Sequence, residues 1–145
     1  MTEPGPVSID RQIIREQSDM AIVLIVEDEP NVRKLVAVNL VGRGYTILEA
    51  ANVPQALDHL STTPPDLVIL DIKLPELTGW DLLAQIAANP ATAAKFPVLV
   101  MTASIMDAQI DRAQYPNIAD VLIKPFSATR LLTAIERALH PSAIR

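Results

Sequence analysis

Five short apolar runs, each followed by a stretch with helical spacing, constrain this chain more than any other feature. They read "AIVLIV" at 21–26, "YTILEA" at 45–50, "DLVIL" at 66–70, "FPVLVM" at 96–101 and "DVLI" at 120–123. Runs that are apolar on both faces, without polar alternation, need cover on both sides of a sheet. Apolar residues then recur at helical spacing as Val32, Leu35, Val36 and Leu40, as Leu82, Leu83, Ile86 and Ala87, as Met106, Ile110 and Ala113, and as Leu131, Ile135 and Leu139. A further helix is expected between Asn52 and Leu60. Strict β-α alternation with short connections gives a parallel sheet with helices on both faces. The expected class is therefore α/β, a doubly wound five-stranded parallel sheet with five helices.

The punctuation agrees. Pro30 and Pro54 fall in first helical turns, where a missing N–H does little harm. Gly42 and Gly44 follow the first helix, and Ser127 can cap the last. With 145 residues, half of them hydrophobic and one-fifth charged, the chain fits one compact domain, placed at 21–140. Residues 1–20 carry Ile9 and Ile13 at helical spacing but are polar and proline-bearing, and are expected to form a flexible extension. Residues 141–145 are expected as a C-terminal tail.

Composition excludes several classes. A net charge of -5, without a basic stripe, argues against direct binding of nucleic acid. The absence of cysteine removes disulfides, thiolate metal sites and thiol nucleophiles. The first residues lack the basic end and apolar run of a signal peptide. Apolar runs are far shorter than the roughly 20 residues a spanning helix needs. A soluble, cytoplasmic protein without membrane contact is expected.

In an open parallel sheet, ligands bind where loops leave the carboxyl ends of the strands. There the chain places Glu27 and Asp28 after the first strand, Asp71 after the third, Thr102 after the fourth and Lys124 after the fifth. Singly, each has a plain structural explanation: a helix cap, a solvated loop acid, a surface charge. Together they put three carboxylates in one crevice, and such clustering is costly unless cations relieve it. Hard oxygen donors with no His or Cys suit Mg²⁺, or Mn²⁺. One carboxylate then remains free to attack phosphorus and form an aspartyl phosphate. Asp71, at the end of the central run and before a tight loop through Pro75 and Gly79, is the expected nucleophile. With only Gly5, Gly42, Gly44 and Gly79, the chain has no Gly-rich loop to cradle a nucleoside triphosphate. The phosphoryl group must arrive on another molecule. His59 and His140 lie in helical patterns away from the strand ends and are expected as surface residues.

From about Ala21 to Leu139 these residues resemble the receiver domain of bacterial two-component response regulators. "VLIVEDEP", "LVILDIKLPELTGWDLL", "VLVMTAS" and "VLIKPF" are similar to that family's acidic pair, phosphoacceptor loop, hydroxyl switch and Lys-Pro segment, in the same order. The resemblance implies a flavodoxin-like strand order of 2-1-3-4-5. It implies that Asp71 accepts a phosphoryl group from the histidine of a sensor kinase or phosphotransfer protein. It implies that Asp28 binds Mg²⁺ directly, Glu27 through water, and that the Lys73 backbone carbonyl joins Asp71 in the metal shell. Lys124 would pair with the phosphoryl oxygens across a cis Lys124–Pro125 bond, and Thr102 would turn its hydroxyl onto the new group. A separate downstream protein would read the altered surface, with the chain a monomer or weak homodimer. One departure stands out: Val121 occupies a position where many receivers carry Tyr or Phe.

Three alternatives remain open at this stage. A phosphorelay intermediate would pass the group on to another histidine, and would hardly need a surface aromatic. An unphosphorylated scaffold would normally have lost the acids or the lysine. An aspartyl-phosphate phosphatase normally shows Asp-x-Asp, whereas here the order is Asp71-Ile72-Lys73. The expectation is a phosphoacceptor that assists its own phosphorylation and dephosphorylation, rather than an enzyme acting on external substrates.

Overall fold

The structure, a computed structural model, describes residues 21–93, 96–109 and 114–140. The expected extension at 1–20 and tail at 141–145 lie outside the described residues. Along the chain come β1 (Ile22–Val26), α1 (Pro30–Val41), β2 (Thr46–Ala50), α2 (Val53–Thr62), β3 (Leu67–Asp71), α3 (Gly79–Ala88), β4 (Val98–Thr102), α4 (Ile105–Ala108), β5 (Ile118–Ile123) and α5 (Ala128–Leu139). All strand pairs are parallel and the order is β2-β1-β3-β4-β5. This is the doubly wound sheet that the alternation implies.

Side chains leave a strand on alternate faces, so each apolar run supplies two cores at once. Leu24, Val26, Val68, Leu70, Val98 and Val100 meet Ala56, Leu60, Leu82 and Ile86 of α2 and α3. On the other face, Val23, Ile25, Leu67, Ile69, Leu99 and Met101 meet Val36 and Leu40 of α1 and Leu131 and Ile135 of α5. β3 and β4 are buried at every position. Each fully buried Leu or Ile contributes about 1.5–3 kcal/mol relative to an exposed one, so the centre of the sheet is the most firmly held part of the molecule. The edge strands differ: Ile47 and Leu48 of β2 are only half-buried, because an edge strand has a neighbour on one side alone.

The helix ends follow local chemistry. Glu29, Asn52, Thr78, Ser104 and Ser127 each accept a hydrogen bond from a backbone N–H in the first turn of the helix that follows. At α3 the box is reciprocal, with Asp81 accepting from the Thr78 backbone N–H. Gly44 has φ +90°, a conformation that other residues rarely adopt.

Several expected packing residues are not buried. Leu35 is 64% exposed, Met106 is 77% exposed, and Ala87 faces solvent. Helical spacing identifies a face but not how wide an arc the sheet covers, and of the residues expected on α1 only Val36 and Leu40 are fully buried. The fourth helix is seen as the single turn Ile105–Ala108; Ile110 and Ala113 lie outside the described residues. No helix of the described residues is long and apolar enough to cross a membrane.

Candidate functional site

β3 and β4 each run one residue past their apolar stretch and end on Asp71 and Thr102. Ladder pairing uses only backbone groups, so a polar side chain does not stop it. Asp71 is in register with Met101 and Thr102 with Ile123, so both candidate side chains are carried by the sheet rather than by loops. Beyond β3 the chain turns sharply, with Glu76 at φ 67°. The Gly79 N–H donates to the Ile72 carbonyl at 2.8 Å, closing the loop back onto its own start. A Cβ on Gly79 would stand 2.7 Å from the Asp71 carbonyl oxygen and 2.7 Å from the Ile72 Cα. Glycine is required there by close approach.

Beside Asp71, β1 delivers Glu27. Its backbone N–H donates to Ala50 at 3.0 Å, and its side chain is turned inward and 1% exposed. Glu27 Oε2 accepts the Glu29 N–H at 3.2 Å. Glu27 Oε1 receives the Lys124 Nζ at 2.7 Å, and the same ammonium lies 3.1 Å from Asp71 Oδ2. Asp71 Oδ1 accepts the Lys73 N–H at 3.1 Å. Lys124 follows β5, its N–H tied to the Thr102 carbonyl at 2.8 Å, and its bond to Pro125 is cis. Asp28 is exposed at the rim.

The five side chains singled out in the sequence are therefore on one sheet edge, but not all in contact. Glu27, Asp71 and Lys124 form one hydrogen-bonded group. Carboxylate oxygens of Glu27, Asp28 and Asp71 all lie within 4.8 Å of one another. Thr102, 3% exposed, instead accepts the Ser104 N–H on its own Oγ1 at 3.0 Å. Its hydroxyl is engaged by the loop after β4.

Electrostatics shows a deficit of positive charge. Burial pushes the Glu27 carboxyl up from 4.5 to about 7, opposed by the Lys124 hydrogen bond and reinforced by Asp71. Burial pulls the Lys124 ammonium down, but Glu27 and Asp71 together outweigh that and hold its pKa above the usual value. One ammonium thus contacts two of the three carboxylates. The donor set is all hard oxygen, with no His or Cys beside it, and two of its acids are already buried. That is the environment a small divalent cation fits.

Sequence reasoning missed the supports of this group. Arg33 of α1 donates from one terminal nitrogen to the Glu27 carbonyl at 2.7 Å and from Nε to Glu49 of β2 at 2.9 Å. Glu29, which the sequence analysis did not single out, caps α1 by accepting the Asn31 N–H at 3.0 Å. A charged residue in the first turn after an acidic loop is a faint signal for the cap. Nothing in the linear order joins Arg33 to Glu49.

A carboxylate and lysine crevice at the carboxyl edge of a 2-1-3-4-5 parallel sheet defines a receiver-type α/β domain. The chain belongs to the response regulator receiver domain family, whose model matches residues 23–136. It is 32% identical over 121 residues to the transcriptional regulatory protein KdpE of Mycobacterium tuberculosis, covering 83% of this chain and 52% of that protein. It is 36% identical over 118 residues to the transcriptional regulatory protein PdtaR of the same organism, covering 81% and 56%. The chain spans about half the length of these curated relatives. Among solved structures, the chemotaxis response regulator CheY4 of Vibrio cholerae superposes with a TM-score of 0.70 at 26% identity, over 83% of this chain and 99% of that one. The strand order and five helices expected from sequence match that fold.

Proposed function

We propose that this receiver domain is a phosphorylatable switch in which Asp71 accepts a phosphoryl group from a phosphohistidine. The observation that carries the reading is the position of Asp71: 4% exposed at the end of a fully buried strand, with Lys124 Nζ 3.1 Å from Oδ2 and two further acids around it. An Asp71 carboxylate oxygen forms the new P–O bond as the P–N bond to the donor imidazole breaks, and the ring nitrogen keeps the electron pair. The Lys124 ammonium neutralises charge on the transferring oxygens. Asp28 and Asp71, with the Lys73 carbonyl and Glu27 through water, would hold Mg²⁺ or Mn²⁺, which supplies further neutralisation of the phosphoryl oxygens when bound. After transfer, the Thr102 hydroxyl leaves the Ser104 N–H and donates to a phosphoryl oxygen, drawing the loop after β4 inward. Unmodified and modified conformations differ in surface, and a partner protein that prefers the second reads the change. In this reading the donor is a sensor histidine kinase or a histidine phosphotransfer protein, and the domain turns over no external substrate.

Val121, half-buried on β5 and carrying no ring, favours a second reading, in which the phosphoryl group moves on to another histidine instead of being read at the surface. The first test is intact-mass spectrometry after incubation with acetyl phosphate, with Mg²⁺ or with chelator. One metal-dependent phosphoryl adduct on the wild type, absent from Asp71→Asn, is expected. No adduct on folded protein under any condition would refute the switch and leave the scaffold reading. Transfer of the adduct to an added histidine phosphotransfer protein separates the relay from the partner-binding switch.

A further inference from the structure

Asp28 is the exposed member of the acidic group, and among the described residues nothing hydrogen-bonds its carboxylate. What aims it is therefore the backbone before it, the peptide unit whose carbonyl belongs to Glu27. That unit lies past the last ladder bond of β1, so the sheet does not hold it. Arg33 does. Its guanidinium gives one terminal N–H to the Glu27 carbonyl at 2.7 Å while its Nε is fixed by Glu49 at 2.9 Å. Two parallel demands on one planar group leave it little freedom, and its side chain is only 20% exposed.

We infer that Arg33 is a positioning residue for the divalent-cation end of the site, holding the Glu27 carbonyl so that Asp28 points into the acidic group. The inference rests on the Mg²⁺ reading above. Charge alone would act the other way, since a cation near the crevice opposes a second cation. Glu49 eases the conflict: paired with Nε at 2.9 Å, it offsets part of the Arg33 charge, and the geometric hold on the Glu27 carbonyl is the larger contribution in this inference. Groups that orient a metal ligand from behind commonly change metal affinity by about 10- to 100-fold when removed. The bond also explains why an arginine in the first turn of α1 reaches back over the turn instead of extending into solvent.

The experiment is a calorimetric Mg²⁺ titration of the wild-type chain, Arg33→Ala and Arg33→Lys, with amide hydrogen exchange of the same proteins in chelator. The expected result is Mg²⁺ affinity about tenfold weaker in Arg33→Ala. Arg33→Lys keeps the charge but cannot span both acceptors, and is expected to be weakened to a similar degree. In metal-free protein, the amides of Asp28 and Glu29 should exchange faster in both variants, with the β3 amides unchanged. Wild-type affinity in Arg33→Ala, or full recovery in Arg33→Lys, overturns the inference. If the wild type itself binds no Mg²⁺, the metal reading fails and the exchange data still decide whether Arg33 holds the turn. If Arg33→Ala does not fold, Arg33→Lys carries both readouts.

Discussion

Lys124 and Glu27 stand 97 residues apart in the chain, yet their charged atoms are 2.7 Å from each other. Removing the lysine leaves Glu27, 1% exposed, without its cation. Truncating one partner of a buried hydrogen-bonded charge pair costs about 2–5 kcal/mol, and here the low end applies because Lys124 is 21% exposed and water can enter. The loss depends on pH in a fixed sense. The folded Glu27 carboxyl, raised to about 7, binds a proton more tightly than in the unfolded chain, so stability falls as pH climbs from about 4.5 through 7. Lys124→Ala removes the ammonium that lowers that value. Urea unfolding in chelator should show Lys124→Ala close to wild type near pH 5 and about 2 kcal/mol less stable near pH 8. An equal loss at both pH values would mean that packing, not charge, is what Lys124 supplies. The identity of Glu27, Asp71 and Lys124 was legible in the sequence because each follows an apolar run. Their pairing was not, because a strand end says nothing of which side chain turns inward.

At the scale of elements, β3 and the loop after it act as one rigid mount. The strand was readable as "DLVIL", and the structure moves its end to Asp71 because backbone pairing continues past the last apolar side chain. Gly79 locks the loop against that end. Gly79→Ala would place a Cβ 2.7 Å from two backbone atoms, which cannot swing aside as a flexible side chain can. Overpacking of this kind costs about 1–3 kcal/mol. Urea unfolding of Gly79→Ala should show that loss, together with slower phosphorylation by acetyl phosphate, because the displaced backbone is that of Asp71 itself. A change confined to stability would mean that the loop shifts away from the site. α4 shows the opposite limit. Of the residues at helical spacing there, Met106 is 77% exposed, so a place in the period does not by itself bury a side chain.

At the scale of the whole molecule, the proposed cation at the acidic edge would couple metal binding to folding. A ligand that binds only the folded chain stabilises it by RT ln(1 + [L]/Kd), about 2.7 kcal/mol at 100 times Kd. Saturating Mg²⁺ should therefore raise the melting temperature of the wild type. Asp28→Asn should abolish most of the rise while leaving the metal-free melt nearly unchanged, since Asp28 is exposed. A rise that survives in Asp28→Asn would place the cation elsewhere.

What the sequence determined by itself was the alternation of buried strands and helices, hence a parallel sheet covered on both faces, and the delivery of acids, hydroxyl and lysine to one edge. Those properties are local: a run's polarity and period are written in consecutive residues. Only the tertiary structure decided that Lys124 bridges Glu27 and Asp71, that the Thr102 hydroxyl is held by Ser104, and that Arg33 spans Glu49 and the Glu27 carbonyl. Each of these depends on the rotamers and separations of groups brought together by packing, and no spacing along the chain encodes a distance across the sheet.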